Sequence, residues 1–383
     1  MCKNSDVLIV GAGFFGAVIA ERLAVDSGIK VCVIDKRPHI GGNCYSSVDD
    51  ETGVECHHYG SHIFHTSNER CWNYLLNFTQ FNAYRHVVHT KYRNQVYTMP
   101  INLGTINAFY GCNLTPSDAA SFIRHEVERS DVKHPVNLEE KAISLIGRPL
   151  YDAFIKGYTL KQWETDPREL PADVITRLPM RFDYNTRYFD DVHEGIPLNG
   201  YSRLFERMLD HPNIEVCLNT NFFDLGERCK NYELIVYSGP IDQYFNYSEG
   251  RLNWRTVRFD MQRHDCSDYQ GCSVMNYADS WIPFTRIHEF KHFHPERQQL
   301  QSTITYTEYP QAASQNWDPF YPVNTPRDLE LLQKYNVLAQ QENRVIFGGR
   351  LGYYRYIDMD DTIMAALDCY ENEIRSRIAL RLI

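Results

Sequence analysis

Four groups of residues in this sequence are of the right types and spacing to do chemistry. The first is Gly11-Ala12-Gly13-Phe14-Phe15-Gly16, followed by Asp35 at 19 residues past Gly16. Such glycines permit a tight turn and close approach of backbone to a pyrophosphate, and the acid can accept from a ribose hydroxyl. The second is four histidines within nine residues, His57, His58, His62 and His65. A metal site is one reading, but no helical i,i+4 His pair and no nearby Cys or carboxylate cluster completes four ligands. A loop of hydrogen-bonding histidines packed under a cofactor is the other. The third is the segment Arg177 to Phe189, where Arg177, Arg181 and Arg187 mix with Phe182, Tyr184, Tyr188 and Phe189. Guanidinium forks clamp phosphates and rings stack on bases; a surface salt-bridge network is the alternative. Arg286 and Arg350 are similar candidates, as are the tyrosines of Pro319-Phe320-Tyr321-Pro322 and Tyr353 to Asp358. The fourth is Gly157-Tyr158-Thr159-Leu160-Lys161-Gln162-Trp163, which reads as a recognition loop or as a core stripe. No Gly-x-Ser-x-Gly elbow, no metal motif and no second Gly-x-Gly-x-x-Gly for a dedicated NADPH domain is present.

These residues need elements to hold them. Val7-Leu8-Ile9-Val10 is a continuous apolar run, as expected of a strand buried on both faces. It runs straight into the glycine turn. A helical pattern follows, with Val18, Ile19 and Leu23 on one side, and Val31 to Ile34 forms a second strand ending at Asp35. Ile214 to Leu218, Glu233 to Tyr237 and Val345 to Phe347 extend the same parallel sheet. Gly348-Gly349-Arg350-Leu351-Gly352 then leads to a helix with Ile363, Ala366, Leu367 and Tyr370 on one face. Between these lie helices. Thr115-Pro116-Ser117-Asp118 carries a capping hydroxyl and Pro at the first helical position. Asn137 begins another, capping-box-like helix, in which Leu138, Ala142, Leu145 and Ile146 follow before Gly147 stops it. Leu150, Tyr151, Phe154, Ile155 and Tyr158 make a third stripe. Val87 to Met99 reads as a hairpin turning near Arg93-Asn94, and Ile287–Phe293 and Ser302–Tyr309 alternate like antiparallel strands.

The fold expected is therefore α/β (α+β overall). It combines a discontinuous Rossmann-like cofactor domain (1–80, 200–245 and 325–383), an inserted helical domain (100–170), and an antiparallel β-sheet domain (81–99, 171–199 and 246–324). Lys plus Arg number 39 against 49 Asp plus Glu, a formal charge of −10. That argues against a general nucleic-acid binder or an anionic-membrane protein. No apolar run approaches the roughly 18 residues of a membrane span, and the N-terminal residues lead into a strand without a signal-peptide core. Eleven scattered cysteines without a Cys-x-x-Cys pair argue for reduced thiols and a cytoplasmic protein. With 26 Tyr, 20 Phe and 5 Trp, tyrosine outnumbers the 21 glycines, which excludes disorder and points to a large surface where rings and phenol hydroxyls act.

Lys36-Arg37-Pro38-His39-Ile40-Gly41-Gly42-Asn43 sets a glycine pair just past the acidic residue. That pattern resembles FAD-binding flavoproteins related to amine oxidases, in which the late Gly348–Gly352 type of loop closes over the cofactor. The chain as a whole resembles the bacterial UDP-galactopyranose mutase family along nearly its full length. The resemblance is carried by Gly11 to Gly16, Gly41-Gly42-Asn43, Tyr59 to Thr66, Gly157 to Trp163, Arg177-Leu178-Pro179, Tyr188-Phe189, Gly239 to Phe245, Thr285-Arg286-Ile287, Gly348 to Leu351 and Tyr356-Ile357-Asp358. Ser61 departs from it, standing where that family often has Pro or Ala. Ile155 stands for a second Phe of some members, and Phe320-Tyr321 for a Tyr-Tyr pair.

The resemblance implies a three-domain flavoprotein, a homodimer, and a loop that closes over substrate. It implies ring contraction of a UDP- or dTDP-linked hexopyranose to its furanose, without net redox change, for cell-surface polysaccharide biosynthesis. Reduced FAD would act through a covalent N5–sugar adduct, with NAD(P)H as a dissociable reductant. UDP-galactopyranose is the substrate expected; dTDP-fucopyranose, UDP-N-acetylgalactopyranose and, more remotely, amine oxidase chemistry are the alternatives. For the cofactor, the resemblance implies Gly11, Gly13, Phe14, Phe15, Gly16, Asp35, Lys36, Gly42, Asn43, His62, Ile63, Gly349, Arg350, Tyr356, Asp358 and Met359. For the nucleotide sugar it implies Phe154, Tyr158, Thr159 and Trp163 at the uridine, Arg177 and Arg286 on the diphosphate, Tyr188, Tyr321 and Tyr356 on the phosphate oxygens, His65 at the sugar, and Asp358 in the phosphate–tyrosine network or near the flavin. Arg177, Arg286, Arg350, His62 and Tyr356 would carry the reaction, with no metal and neither nucleic acid nor membrane as partner.

Overall fold

The computed structural model describes residues 5–172, 180–297, 299–312 and 318–379. Arg177 and its neighbours Leu178 and Pro179 lie outside the described residues. The chain is a mixed α/β protein with a Rossmann-like unit. Five short strands form one parallel sheet in the spatial order Val345–Phe347, Leu234–Tyr237, Val7–Val10, Val31–Ile34, Ile214–Cys217. They come from widely separated parts of the sequence; four are unbroken apolar runs, as suits strands covered on both faces, while the edge strand Ile214–Cys217 carries the exposed Glu215. Helix Phe14–Asp26 covers one face. Its Val18, Ile19 and Leu23 pack with Ile363 and Ala366 of helix Met359–Cys369 and with Leu204, Phe205 and Met208 of helix Gly200–Leu209. The carboxyl ends of the strands share one edge, where ligands of open α/β sheets bind.

A second core belongs to the helical residues. Ile106, Ile123, Ile143, Ile146, Leu150, Tyr151 and Phe154 are buried together. Their helices start where the capping residues stand: Thr115 accepts from Asp118 N–H and Asn137 from Glu140 N–H. The Glu140 carboxylate takes the Val136 N–H, so the second start is a cap without the reciprocal bond of a box. Of the apolar residues in this second helix, Leu138, Ala142 and Ile146 are buried and Leu145 is 38% exposed.

Seven strands make the second sheet, in the order Tyr321–Pro322, Trp254–His264, Thr303–Ala312, Arg286–Glu289, Val274–Tyr277, Val88–Tyr92, Gln95–Met99. The hairpin turns at Arg93 and Asn94, both with positive φ. The sheet is mixed rather than antiparallel throughout, because Val274–Tyr277 pairs parallel to Val88–Tyr92. Those two strands are far apart in sequence, so no tight turn forces them to oppose. Two further readings change. The strand beginning at Arg286 ends at Glu289, and Phe290–Phe293 is a 3₁₀ turn. Phe290 and Phe293 sit at i,i+3 and both enter one core, which a strand's alternation could not achieve. Gly157–Trp163 is a helix and not a loop, continuing from a π-turn at Tyr151–Lys156. Gly157 makes this possible: a Cβ there would meet the Ala278 carbonyl oxygen at 2.2 Å. Among the described residues nine cysteines are free thiols and Cys32 is disulfide-bonded, so the expectation of reduced thiols fails there. Among the described residues no helix is long and apolar enough to cross a membrane.

Candidate active site

One cavity of about 2360 Å³ runs from the carboxyl edge of the parallel sheet to the seven-stranded sheet. Single small-molecule sites reach about 1,000 Å³, so this one has room for two large ligands end to end. Its first end is backbone. Gly11 has φ +105°, a conformation open to glycine, and a Cβ there would meet Ser238 Oγ at 2.2 Å. The second glycine pair docks on the first loop: Gly41 N–H donates to Ala12 O at 2.8 Å. A Cβ on Gly42 would meet Gly13 Cα at 3.1 Å, and one on Gly348 would meet the Phe15 ring at 2.0 Å. Three glycine-bearing segments thus close on one edge with bare backbone, a cradle that side chains would fill. Asp35 sits in it and accepts from Ala12 N–H and Arg37 N–H, both at 2.9 Å. Each carboxylate oxygen keeps a further lone pair for a ribose hydroxyl. Lys36 and Arg37 are both ion-paired to Asp318, at 2.8 and 2.7 Å, and Arg37 donates to Asn43. Phe14, Ile63, Met359 and Thr362 complete this end; the last two belong to the first turn of a helix whose positive end therefore faces the cavity.

The four histidines separate. His57 is buried among Phe290 and Phe293 and accepts from His62 N–H, while His58 bonds Ser47. His62 and His65 face the cavity. His62 Nδ1 lies 2.8 Å from Gly60 O, and burial pushes its pKa down to about 4. His65 stacks on Phe189 at 3.6 Å and pairs with Asp191 at 2.7 Å. Among the described residues the one group of three side chains close enough to share a metal is Asp268, Glu289 and His292, which are not part of this cavity.

At the far end Arg286 and Glu308 are directly opposed across neighbouring strands. Arg286 Nε lies 3.1 Å from Glu308 Oε1, an ion pair whose N–H is not aligned for a hydrogen bond. Its outer nitrogen bonds the Tyr158 hydroxyl. Burial opposes the Arg286 charge, but Glu308 together with Tyr158, Tyr321 and Tyr188 more than offsets this and raises its pKa. Burial likewise pushes Glu308 up, yet Arg286, His288 and Thr285 hold it at about 2. Tyr158, Thr159 and Trp163 line the wall from their helix, and the Tyr321 and Tyr356 rings lie 5.9 Å apart beside Tyr188 at the mouth. Tyr356 is 58% exposed. Phe154 touches the wall but is mainly core, 5.0 Å from Tyr97. Arg350 lines the cavity, with both outer nitrogens on the Phe320 and Pro319 carbonyls. Burial pushes it down to about 10. Asp358 stands at the N-cap position of the helix beginning at Met359, without a side-chain capping bond, and lines the cavity.

Arg181 and Arg187 do not reach the cavity: Arg181 pairs with Asp190 and Arg187 with Glu194, so the salt-bridge reading holds for those two. The sequence reading missed Arg255. It is 4% exposed and lines the cavity, bonded to Gln162 O and Glu164, with its third nitrogen buried and without a hydrogen-bond partner. An arginine inside the buried run Trp254–Val257 was the available signal. His288, Glu308 and Asn276 were missed as well.

Two of the cavity histidines set an acid limit. Burial pushes His86 down to about 3 as it does His62 to about 4, against an ordinary 6.5. The unfolded chain then binds protons that the fold refuses, so stability is full above about pH 6.5 and is lost as pH falls toward 4 and below. At about 1.4 kcal/mol per unit, His86 alone can withdraw several kcal/mol. Tm followed by circular dichroism should drop across that window, and His86→Gln should flatten the slope. An unchanged slope would mean that His86 is not held neutral.

A family model described as UDP-galactopyranose mutase matches residues 153–356, and one described as an NAD(P)-binding Rossmann-like domain matches residues 9–78. The chain is 44% identical to a "Probable UDP-galactopyranose mutase" of Klebsiella pneumoniae over 95% of its own length and 94% of that protein's. It is 39% identical to a "dTDP-fucopyranose mutase" of Escherichia coli, covering 97% and 98%. A crystal structure of reduced UDP-galactopyranose mutase superposes with a TM-score of 0.76 at 16% identity, covering 97% and 96%.

Proposed function

Since this chain belongs to the UDP-galactopyranose mutase family and is thereby an isomerase, we propose that it interconverts the pyranose and furanose forms of a hexose carried on a nucleoside diphosphate. UDP-galactopyranose and UDP-galactofuranose are the favoured pair. The observation that carries this reading is one cavity with a glycine cradle at one end and the Arg286–Tyr158 pair at the other. The cradle fits FAD: bare backbone at Gly11, Gly13, Gly42 and Gly349 suits the pyrophosphate, Asp35 the ribose, and the space near His62, Ile63, Arg350 and Met359 the flavin. When bound and reduced, FAD would supply the nucleophile that displaces the diphosphate from the anomeric carbon, with NAD(P)H as reductant.

The chain's own work is to bind, orient and neutralise. Arg286, with Arg177 by family likeness, faces the diphosphate and stabilises its charge as it leaves. Tyr188, Tyr321 and Tyr356 donate phenol hydrogens to phosphate oxygens, which adds no charge. Tyr158, Thr159, Trp163 and Phe154 hold the uridine, and His65 the sugar. Arg255 is added to this set, since its unpartnered nitrogen sits beside the same helix. The neutral state of His62 spares the cavity a cation at the sugar. The three-domain division, a homodimer, a cytoplasmic location and a place in polysaccharide synthesis go with this reading.

A dTDP-linked 6-deoxy sugar is the second reading, favoured by the likeness to the fucopyranose enzyme. Reduced protein incubated with a panel of UDP- and dTDP-sugars and resolved by HPLC decides between them; no furanose from any of them would end the proposal. Trp163→Ala should raise KM roughly tenfold with little change in kcat, because ring stacking on the base is uniform binding. A fall in kcat at constant KM would move Trp163 to the reacting centre.

A further inference from the structure

A chain of side chains links the cavity floor to Arg286. Ser61 Oγ lies 2.5 Å from His288 Nδ1, and His288 Nε2 lies 3.2 Å from Glu308 Oε2. His288 and Glu308 are 1% and 2% exposed; Ser61 and His288 both line the cavity. The direction of every proton in this chain can be assigned. Glu308 is ionised, held by Arg286 and Thr285, and a carboxylate only accepts. Burial holds the His288 pKa below its ordinary value, so the ring is neutral with one hydrogen, and that hydrogen must be on Nε2. Nδ1 is then a bare lone pair, and Ser61 must donate its one hydrogen to it. What Ser61 offers the cavity is an oxygen with lone pairs and no proton.

The position of that oxygen matters. Arg286 and His288 alternate on one strand, so they share a face about 7 Å apart along the strand. A diphosphate on Arg286 would place its sugar over His288 and Ser61. We propose that Ser61 is a specificity-determining residue that accepts a hydrogen bond from a sugar hydroxyl, with His288 and Glu308 as the positioning residues that prevent it from donating. The proposal rests on the mutase reading, because it uses the diphosphate at Arg286. It goes beyond that reading in requiring a donor on the sugar at one position. An analogue bearing an acceptor there would face Ser61 acceptor to acceptor.

Monodeoxyfluoro analogues of UDP-galactose test this, because fluorine keeps size and accepting character but cannot donate. Their affinities for the oxidised, FAD-bound protein are measured by calorimetry beside UDP and dTDP alone. In the wild type, one analogue should bind roughly tenfold more weakly than the parent. In Ser61→Ala that ratio should collapse to near one, while Ser61→Thr, which keeps the hydroxyl, should retain it. His288→Phe frees the Ser61 hydrogen, so the same analogue should regain affinity; a merely structural role for His288 gives no such recovery. Ratios that match between wild type and Ser61→Ala, or a wild type that discriminates against none, overturn the assignment. If neither UDP nor dTDP binds, the mutase reading falls and takes this inference with it.

Discussion

Arg286→Ala is expected to lower kcat/KM by about a thousandfold while the purified protein still carries FAD. The size follows from where the guanidinium sits. It is half-buried in the cavity wall, its charge is supported by the buried Glu308, and its outer nitrogen reaches the cavity beside Tyr158. A leaving diphosphate gains negative charge there, against a cation held in place by its carboxylate partner. The single substitution also strands Glu308 as a buried anion, which can cost about 3–5 kcal/mol of stability. The double variant Arg286→Ala with Glu308→Gln removes that complication. It should restore Tm, with FAD still bound, but not turnover. Arg286→Lys should fall between, since an ammonium keeps the charge and loses the fork. Substantial turnover in a well-folded double variant would take Arg286 out of the phosphate site.

The second large effect concerns the redox state. Protein reduced with dithionite should convert UDP-galactofuranose to UDP-galactopyranose, and the same sample reoxidised in air should show no conversion above background. Bleaching and return of the flavin absorbance report the state independently of activity. The reaction leaves no net oxidation in its product, so dependence on reduction would be a property of the cofactor alone. Equal rates in both states would exclude the proposed role of FAD while leaving the nucleotide-sugar site untouched. A lowered but finite rate in a partly reduced sample should track the reduced fraction.

What was legible in the sequence was local. The first and last glycine loops each follow directly on a strand, and Asp35 directly ends another, so each signal lies within a short segment whose backbone sterics fix its use. The caps at Thr115 and Asn137 and the hairpin at Arg93-Asn94 are local for the same reason. Partnerships set by strand register were not legible. Glu308 faces Arg286 because their strands align them as opposed residues, and nothing in either segment announces the other. Arg181 and Arg187 looked equal to Arg286 by composition, and their ion pairs to Asp190 and Glu194 depend on how that loop folds back. The helix Gly157–Trp163 was hidden by the π-turn before it, which breaks the 3.6-residue period, and by a glycine whose purpose is contact with Ala278.

The parallel sheet has a consequence for how the protein is made. Its middle strand, Val7–Val10, emerges early, but one neighbour is Leu234–Tyr237 and the outer strand beyond it is Val345–Phe347. At roughly 5–20 residues per second, the ribosome delivers Gly348 and Gly349 some fifteen to seventy seconds after the first glycine loop. Through that interval first Val7–Val10 and then Leu234–Tyr237 waits with one edge unpaired, a template for wrong pairing. Cofactor capture must then be a late event, following release of nearly the whole chain. Nascent chains halted before residue 345 should hold no flavin and should lean on chaperones, and flavin supply in the cell should govern how much of the finished protein escapes aggregation.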